Sequence, residues 1–276
     1  MICPGDCPVR VEAVESRYGE ELILDGVDLA VRKGEILTIL GGSGCGKTTL
    51  LRTIIGLLPP SRGKVYLFGK EIYALGEEAA QRVLMRVGML FQQSALFGSM
   101  SVGENVALPI LEYRPELPPD IVRRIVELKL GLVGLEGATN KMPAELSGGM
   151  KKRAALARAL ALDPEVIFFD EPTTGLDPIT AAGIDRLILD TRAFFGTTMV
   201  VVTHDLDTAF HCSDRIVLLD KGKVAIEGTP SDVRQSMDPK VRNFIDRRAE
   251  GDPAQRAFPA KVAWEAAAVP ANDRTV

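Results

Sequence analysis

Residues 41–49 read Gly41-Gly42-Ser43-Gly44-Cys45-Gly46-Lys47-Thr48-Thr49. The spacing fits G-x-x-x-x-G-K-[ST], a loop that cradles phosphate. The run from Glu35 to Leu40 before it is apolar enough for a buried strand, and Thr48 to Ile55 after it has helical spacing. The loop therefore lies where bare N–H groups and the positive end of a helix dipole face an anion. Its glycines let the backbone close around phosphate oxygens where a Cβ would intrude. Lys47 would reach the β- and γ-phosphates of a nucleotide, and the Thr48 hydroxyl would ligate Mg²⁺. Cys45 adjoins the helix start and Lys47. Both favour a thiolate, so Cys45 is expected to react with a maleimide unless nucleotide covers it.

A second set of reactive groups lies further along. Val166-Ile167-Phe168-Phe169-Asp170-Glu171 is an apolar strand ending in two acids. At the carboxyl edge of a parallel sheet these acids would lie beside the phosphate loop. Asp170 would then hold Mg²⁺, directly or through water, and Glu171 would act as general base on an attacking water. A strand that merely ends in solvated acids has the same pattern. His204 follows the strand-like Met199 to Thr203 and can reach a γ-phosphate, although a lone histidine is also commonly structural. Gln92 follows Val87 to Phe91 and could contact Mg²⁺ or the water.

Leu146-Ser147-Gly148-Gly149-Met150 marks another helix start, with Ser147 as cap for a helix from about Gly149 through Leu160. Gly148 and Gly149 leave that N-terminus bare for an anion. One nucleotide does not need two such sites from one molecule unless the second serves a nucleotide held by another copy. The plain alternative is a cap-and-glycine turn.

The elements that must position these groups read as α/β. Val9 to Val14 alternates like a strand, and Leu22 to Val31 carries two short strand-like runs around Gly26. With Val65 to Gly69 they suggest a small antiparallel sheet beside a larger parallel one. From about Ser101 to Glu145 strand patterns vanish, and Val102–Leu108 and Ile121–Val133 carry helical periodicity, which reads as a helical insertion. The short all-apolar runs at 166–169 and 199–202 suit parallel strands covered on both faces. Arg215–Leu219 and Lys223–Glu227 read as a hairpin across Asp220-Lys221-Gly222. Thr229-Pro230-Ser231-Asp232 has the cap, first-position proline and early acid of a helix start. Val241, Phe244 and Ile245 form a short apolar stripe, too short to stand alone as a helix.

With 276 residues, 46% of them hydrophobic, the chain can bury a core of one or two compact units. A net charge of −4 gives no electrostatic case for nucleic acid. The local cluster Lys151-Lys152-Arg153 is explained equally well as a solvated helix face. Cys3 and Cys7 lie close together with no histidine near them, so no zinc site is expected, and the cysteines do not form a disulfide framework. A reducing cytoplasm fits best. No signal peptide and no membrane-length apolar run is apparent, so any membrane role is expected to come through a partner.

Taken in order from about Val9 to Asn243, the motifs resemble those of ATP-binding-cassette ATPases. The loop at 41–49 looks like Walker A, Gln92 like the Q-loop, Leu146 to Met150 like the signature, and Val166 to Glu171 like Walker B. Gly175-Leu176-Asp177-Pro178 resembles the D-loop and His204 the switch histidine, and Tyr18 stands where these proteins stack adenine. The resemblance implies a P-loop NTPase core with a parallel sheet, an N-terminal antiparallel β subdomain and a helical subdomain at about 101–160. The cassette domain would span residues 8–246, with a tail at 247–276. It also implies ATP and Mg²⁺ as ligands and a head-to-tail homodimer. Each ATP would lie between one copy's phosphate loop and the other's Ser147, Gly148 and Gly149, with Asp177 at the interface. Met150 departs from the commonest signature, which has Gln there.

One branch is closer: the ATPase subunits of Mla-type phospholipid transporters, which work with MCE-domain proteins. The likeness lies in Met89-Leu90-Phe91-Gln92 with Ser94-Ala95-Leu96-Phe97, in Leu146 to Arg153, in Asp170 to Ile179 and in Asp238 to Phe244. It implies a permease, an MCE-domain protein and a STAS-domain protein as partners, on the cytoplasmic face of an inner membrane. It also implies that the end of the chain contacts a second copy or the accessory protein, against the plainer expectation that Val241 and its neighbours pack on their own domain. The alternatives are an ATPase for another cargo and a soluble single-cassette assembly factor.

Overall fold

The computed structural model describes residues 7–247. Cys3 and the tail from residue 248 onward, with the docking expected of it, lie outside the described residues.

The chain begins with β1 (Val9–Tyr18), β2 (Glu21–Val31), β3 (Ile36–Leu40) and α1 (Lys47–Ile54). After these come β4 (Arg62–Leu67), β5 (Lys70–Glu71), α2 (Glu77–Leu84) and β6 (Val87–Leu90). Three helices follow without an intervening strand: α3 (Val102–Tyr113), α4 (Pro119–Leu132) and α5 (Gly148–Ala159). The chain then returns through β7 (Val166–Asp170), α6 (Pro178–Phe195), β8 (Thr198–Thr203) and α7 (Leu206–Cys212). It finishes with β9 (Arg215–Asp220), β10 (Lys223–Gly228), α8 (Pro230–Gln235) and α9 (Pro239–Ile245).

The larger sheet has the order β10-β9-β3-β8-β7-β6, parallel from β9 to β6, with β10 antiparallel on its edge. Every residue of β3, β7 and β8 is buried, as a parallel sheet covered on both faces requires. Side chains alternate between the faces. Leu37, Ile39, Phe168, Val200 and Val202 pack toward α1 and the antiparallel sheet β2-β1-β4-β5. Ile36, Ile167, Phe169, Met199 and Val201 pack toward the helical layer of α3 to α6. Phe168 and Phe169 therefore anchor opposite layers, and full burial of one such side chain contributes about 1.5–3 kcal/mol.

The register decides where chemistry can occur. Leu40 lies opposite Thr203 on one side and Leu218 on the other, and Val202 lies opposite Asp170. The carboxyl ends of β3, β7 and β8 are thus side by side, and the segments that follow them converge at one sheet edge.

Some local expectations need correction. The region around Gly26 is one continuous strand: an extra residue in β2 between Leu24 and Val27, set against Ser16 and Val14, lets it bend without breaking. α3 does not stop before Pro109 but continues to Tyr113, because Ile110 is locked in the apolar core beyond it. Its start has a full capping box between Ser101 and Glu104, as does α8 between Thr229 and Asp232. Val241 of α9 is completely buried against Leu40, Ala209, Ile216, Leu218 and Val233. The stripe in this helix packs on its own domain, which favours the plainer of the two expectations for it.

Candidate active site

The phosphate loop joins β3 to α1. Gly46 caps α1 with φ of 105°, a left-handed conformation that glycine adopts without penalty. A Cβ there would also press on Leu24 Cδ2 at 2.8 Å. Ser43 and Gly44 are exposed, Thr48 and Thr49 half-buried, and Gly41, Cys45 and Lys47 buried. Lys47 Nζ donates to the carbonyls of Gly41 (2.8 Å) and Gly42 (2.9 Å) and stands 4.0 Å from Glu171 Oε1. Cys45 does not meet the expectation of a ready thiolate. Only 8% of it is exposed, and burial pushes its thiol pKa up against the smaller lowering effect of Lys47.

Asp170 ends β7 and Glu171 follows it, both only 7% exposed, so they are not the solvated acids of the plain alternative. Oδ1 of Asp170 is buried with no hydrogen-bond partner. Burial first, and then the neighbouring Glu171 charge, raise the pKa of Asp170 above its ordinary value of 3.8. Glu171 has φ of 49°, unusual for a non-glycine residue, and its N–H donates to Val202 O at 2.8 Å. Its Oε2 accepts from Thr174 Oγ1 (2.9 Å) and Thr203 Oγ1 (3.4 Å) and lies 2.8 Å from His204 Nδ1. β3, β7 and β8 thus bring Lys47, Glu171 and His204 to one place.

Gln92 follows β6, with its side chain exposed and its carbonyl accepting from Lys152 Nζ. The same ammonium donates to the carbonyl of Glu171 at 3.1 Å. Lys152 is 4% exposed, and Arg153 Nη1 donates to Val133 O at 2.8 Å. These two members of the basic cluster are therefore engaged inside the fold and do not form a solvated face.

The second helix start is built as its residue types imply: Ser147 Oγ accepts from Met150 N–H at 3.3 Å. The role of Gly149, however, is partly intramolecular. A Cβ at Gly149 would collide with Thr180 Cγ2, so glycine lets the start of α5 pack on the start of α6. Asp177 caps α6, accepting from the Thr180 hydroxyl (2.6 Å) and from the N–H groups of Thr180 (3.0 Å) and Ile179 (3.1 Å), and these bonds, the hydroxyl's first, hold its pKa low. Ser147, Gly148, Gly149 and Asp177 thus gather at the junction of two helix N-termini. Tyr18 ends β1 with 52% of its surface exposed. Among the described residues no group of three or more His, Cys, Asp or Glu side chains is placed to hold a metal ion.

Comparison with known proteins matches this arrangement. The profile of the ABC transporter family matches residues 24–174, more than half of the chain. The chain belongs to the ABC transporter family. It is accordingly a nucleotide-binding ATPase subunit. It is 43% identical over 253 residues to the intermembrane phospholipid transport system ATP-binding protein MlaF of Haemophilus influenzae, covering 92% of this chain and 95% of that protein. Among solved structures it is similar to the dimeric post-hydrolysis state of the ATP-binding cassette MJ0796 bound to ADP and Pi. That match has a TM-score of 0.74 and 35% identity, over 80% of this chain and 98% of the other. It is also similar to cbiO1 from Clostridium perfringens, part of the ABC transporter complex cbiONQ. Here the TM-score is 0.77 with 31% identity, over 88% and 97% of the two chains.

Sequence reasoning missed several residues that build this candidate site. Thr174 and Thr203 orient Glu171, and Lys152 and Arg158 hold the segment after β6. The signal for Lys152 was present: positions 152, 155, 156 and 159 recur at helical spacing, and the last three are Ala or Leu. That spacing places Lys152 on the buried face of α5.

Proposed function

We propose that this chain drives transport of phospholipid or a related lipid between an inner and an outer membrane. It would do so as a head-to-tail homodimer bound to a permease on the cytoplasmic face, with an MCE-domain protein and a STAS-domain protein. The 43% identity to the H. influenzae MlaF protein over 92% of the chain supports the cargo. The dimeric cassette of similar fold supports the pairing. No helix among the described residues is long and apolar enough to cross a membrane. The cleft between the ATPase sheet and the helical layer, lined by Met85, Met89, Phe91, Phe97, Leu108 and Tyr113, would receive it.

The observation that carries the chemistry is the Glu171 cluster. Three donors fix Oε2, and Oε1 is left on the side of Lys47. Glu171 acts as general base on water, and His204 keeps its carboxylate in place and reaches the γ-phosphate. Lys47 exchanges the Gly41 and Gly42 carbonyls for the β- and γ-phosphates. Backbone N–H groups from Gly42 to Thr49 bind phosphate oxygens, with Ser43, Gly44, Cys45 and Gly46 forming the turn. Tyr18 stacks on adenine. The buried, unpartnered Oδ1 of Asp170 suits a cation, because an orphaned buried carboxylate oxygen is costly until it is satisfied. Thr48, Gln92 and Asp170 would hold Mg²⁺, which supplies neutralisation of phosphate charge. Ser147, Gly148 and Gly149 of a second copy close the site, and Asp177 joins the two sites.

Reconstitution tests the assignment. The chain should co-purify with an integral membrane permease and an MCE-domain protein, and ATP should drive phospholipid transfer between vesicles bearing that complex. ATP turnover without lipid movement would assign the same motor to another cargo. Purification without any membrane protein would favour the soluble assembly factor.

A further inference from the structure

α5 holds the segment after β6 with two cations. Arg158 donates through Nη2 to Ser94 O at 2.9 Å and through Nη1 to Ala95 O at 2.7 Å. Those two carbonyls belong to consecutive non-glycine residues in the left-handed region, with φ of 63° and 47°. Such a pair persists only where its surroundings hold it. Two turns earlier on the same helix, Lys152 holds the carbonyl of Gln92 at the start of that segment and the carbonyl of Glu171 at the end of β7.

Lys152 is an expensive choice for a strut. Its ammonium is taken out of water, and its two hydrogen-bond partners are backbone carbonyls. An apolar side chain of similar length would fill the space without burying a charge. What the ammonium adds is a link between two backbones. Glu171 needs such a link because its own backbone is strained at φ of 49°. Its N–H is pinned to Val202 and its carbonyl to Lys152, so its peptide groups are held from both sides before any side-chain bond forms. Gln92 shares the same ammonium, and its loop lines the apolar cleft through Phe91, Ala95 and Phe97.

We infer that Lys152 is a positioning residue for ATP hydrolysis: it sets the backbone of Glu171 and ties that setting to the cleft-lining loop that begins at Gln92. The inference rests on Glu171 being the general base. Lys152 is buried on two backbone carbonyls, so its removal should slow the chemical step and leave ATP binding alone. The path from cleft to base runs along the backbone to Gln92 and through the two hydrogen bonds of Lys152 to Glu171, but continuity alone does not establish coupling, which must be measured.

The test uses the full-length protein with Lys152→Met, Lys152→Arg, Glu171→Gln, Arg158→Met and the Lys152→Met/Arg158→Met double variant, because Lys152 grips the backbone carbonyl of Gln92, which a change of the Gln92 side chain would leave in place. Lys152→Met should keep its melting temperature within a few degrees and its KM for ATP within about twofold, while kcat falls about tenfold or more. Lys152→Arg, which keeps the charge and the donors, should recover most of that loss. The double variant should lose less than the product of the single losses, because Arg158 holds the same loop and reaches Glu171 only through Lys152. Lys152→Met turnover within twofold of wild type would overturn the inference. A fall in kcat matched by a rise in KM would do the same, as would strictly multiplicative losses in the double variant. If Lys152→Met does not fold, Lys152→Gln, which keeps donors without the charge, carries the same expectations at smaller size. Glu171→Gln separates the two claims. Normal hydrolysis there removes the base assignment whatever Lys152 does, whereas an inactive Glu171→Gln beside a normal Lys152→Met removes only the inference about Lys152.

Discussion

His204 Nδ1 lies 2.8 Å from Oε2 of Glu171, and the hydroxyls of Thr174 and Thr203 reach the same oxygen. One carboxylate oxygen is thus held three ways while the other is left toward Lys47, 4.0 Å away. The carboxylate plane is set before substrate arrives. Such preorganisation makes a base effective, because no rotamer search precedes proton transfer.

His204→Ala should therefore lower kcat by about tenfold to a hundredfold, with ATP affinity little changed. Thr174 and Thr203 still hold the carboxylate, so the loss should be smaller than that of removing the base. Steady-state kinetics beside nucleotide binding checks this. A variant that fails to bind ATP would give His204 a role in binding and not in orientation.

Asp170 gives a prediction about stability and pH. Its pKa is raised by burial and by Glu171, so its protonated form is favoured in the folded chain. A raised carboxyl stabilises the fold fully below its unfolded pKa, near 3.8, and that contribution is lost as pH rises through the raised value. At neutral pH the ionised group is a net cost. Asp170→Asn should therefore melt higher than wild type in the absence of nucleotide and Mg²⁺, and the gap should narrow as pH falls from neutral through the raised pKa toward 3.8. With Mg²⁺ and ATP present, wild type should gain more than the variant. A gap that widens on acidification would contradict the assignment of the cost to this carboxylate.

Much of the strand row that carries the candidate site is legible in the sequence. Val166 to Phe169 and Met199 to Val202 are short and wholly apolar and Ile36 to Leu40 is so but for Thr38, as suits parallel strands covered on both faces, and each is followed by its reactive group. Other features depend on contacts between distant segments. The burial of Lys152 needs β6 and β7 together, and the cost of a Cβ at Gly149 needs Thr180, which lies thirty-one positions further on. Pro109 would end α3 on local grounds, and Ile110 is held in place by the core that α3 meets. Cys45 was misread because charge near a thiol is visible in sequence and burial is not.

The corrected view of Cys45 is testable. Its thiol should react slowly with a maleimide in the native protein even without nucleotide, and quickly after denaturation. Cys212, also buried and with its pKa pushed up to about 12, should behave alike. Mass spectrometry of timed labelling reads both sites. Native Cys45 labelling as fast as in the unfolded chain would return it to the exposed, activated class.

The central claim, that Glu171 is the base of a site closed by a second copy, is tested most directly by Glu171→Gln. The amide keeps the shape and removes the proton acceptor. With Mg²⁺ and ATP the variant should bind nucleotide, accumulate as a dimer on size analysis and hydrolyse at least about a hundredfold more slowly than wild type. Hydrolysis at the wild-type rate by a variant that stays monomeric in ATP would contradict both the base and the shared site.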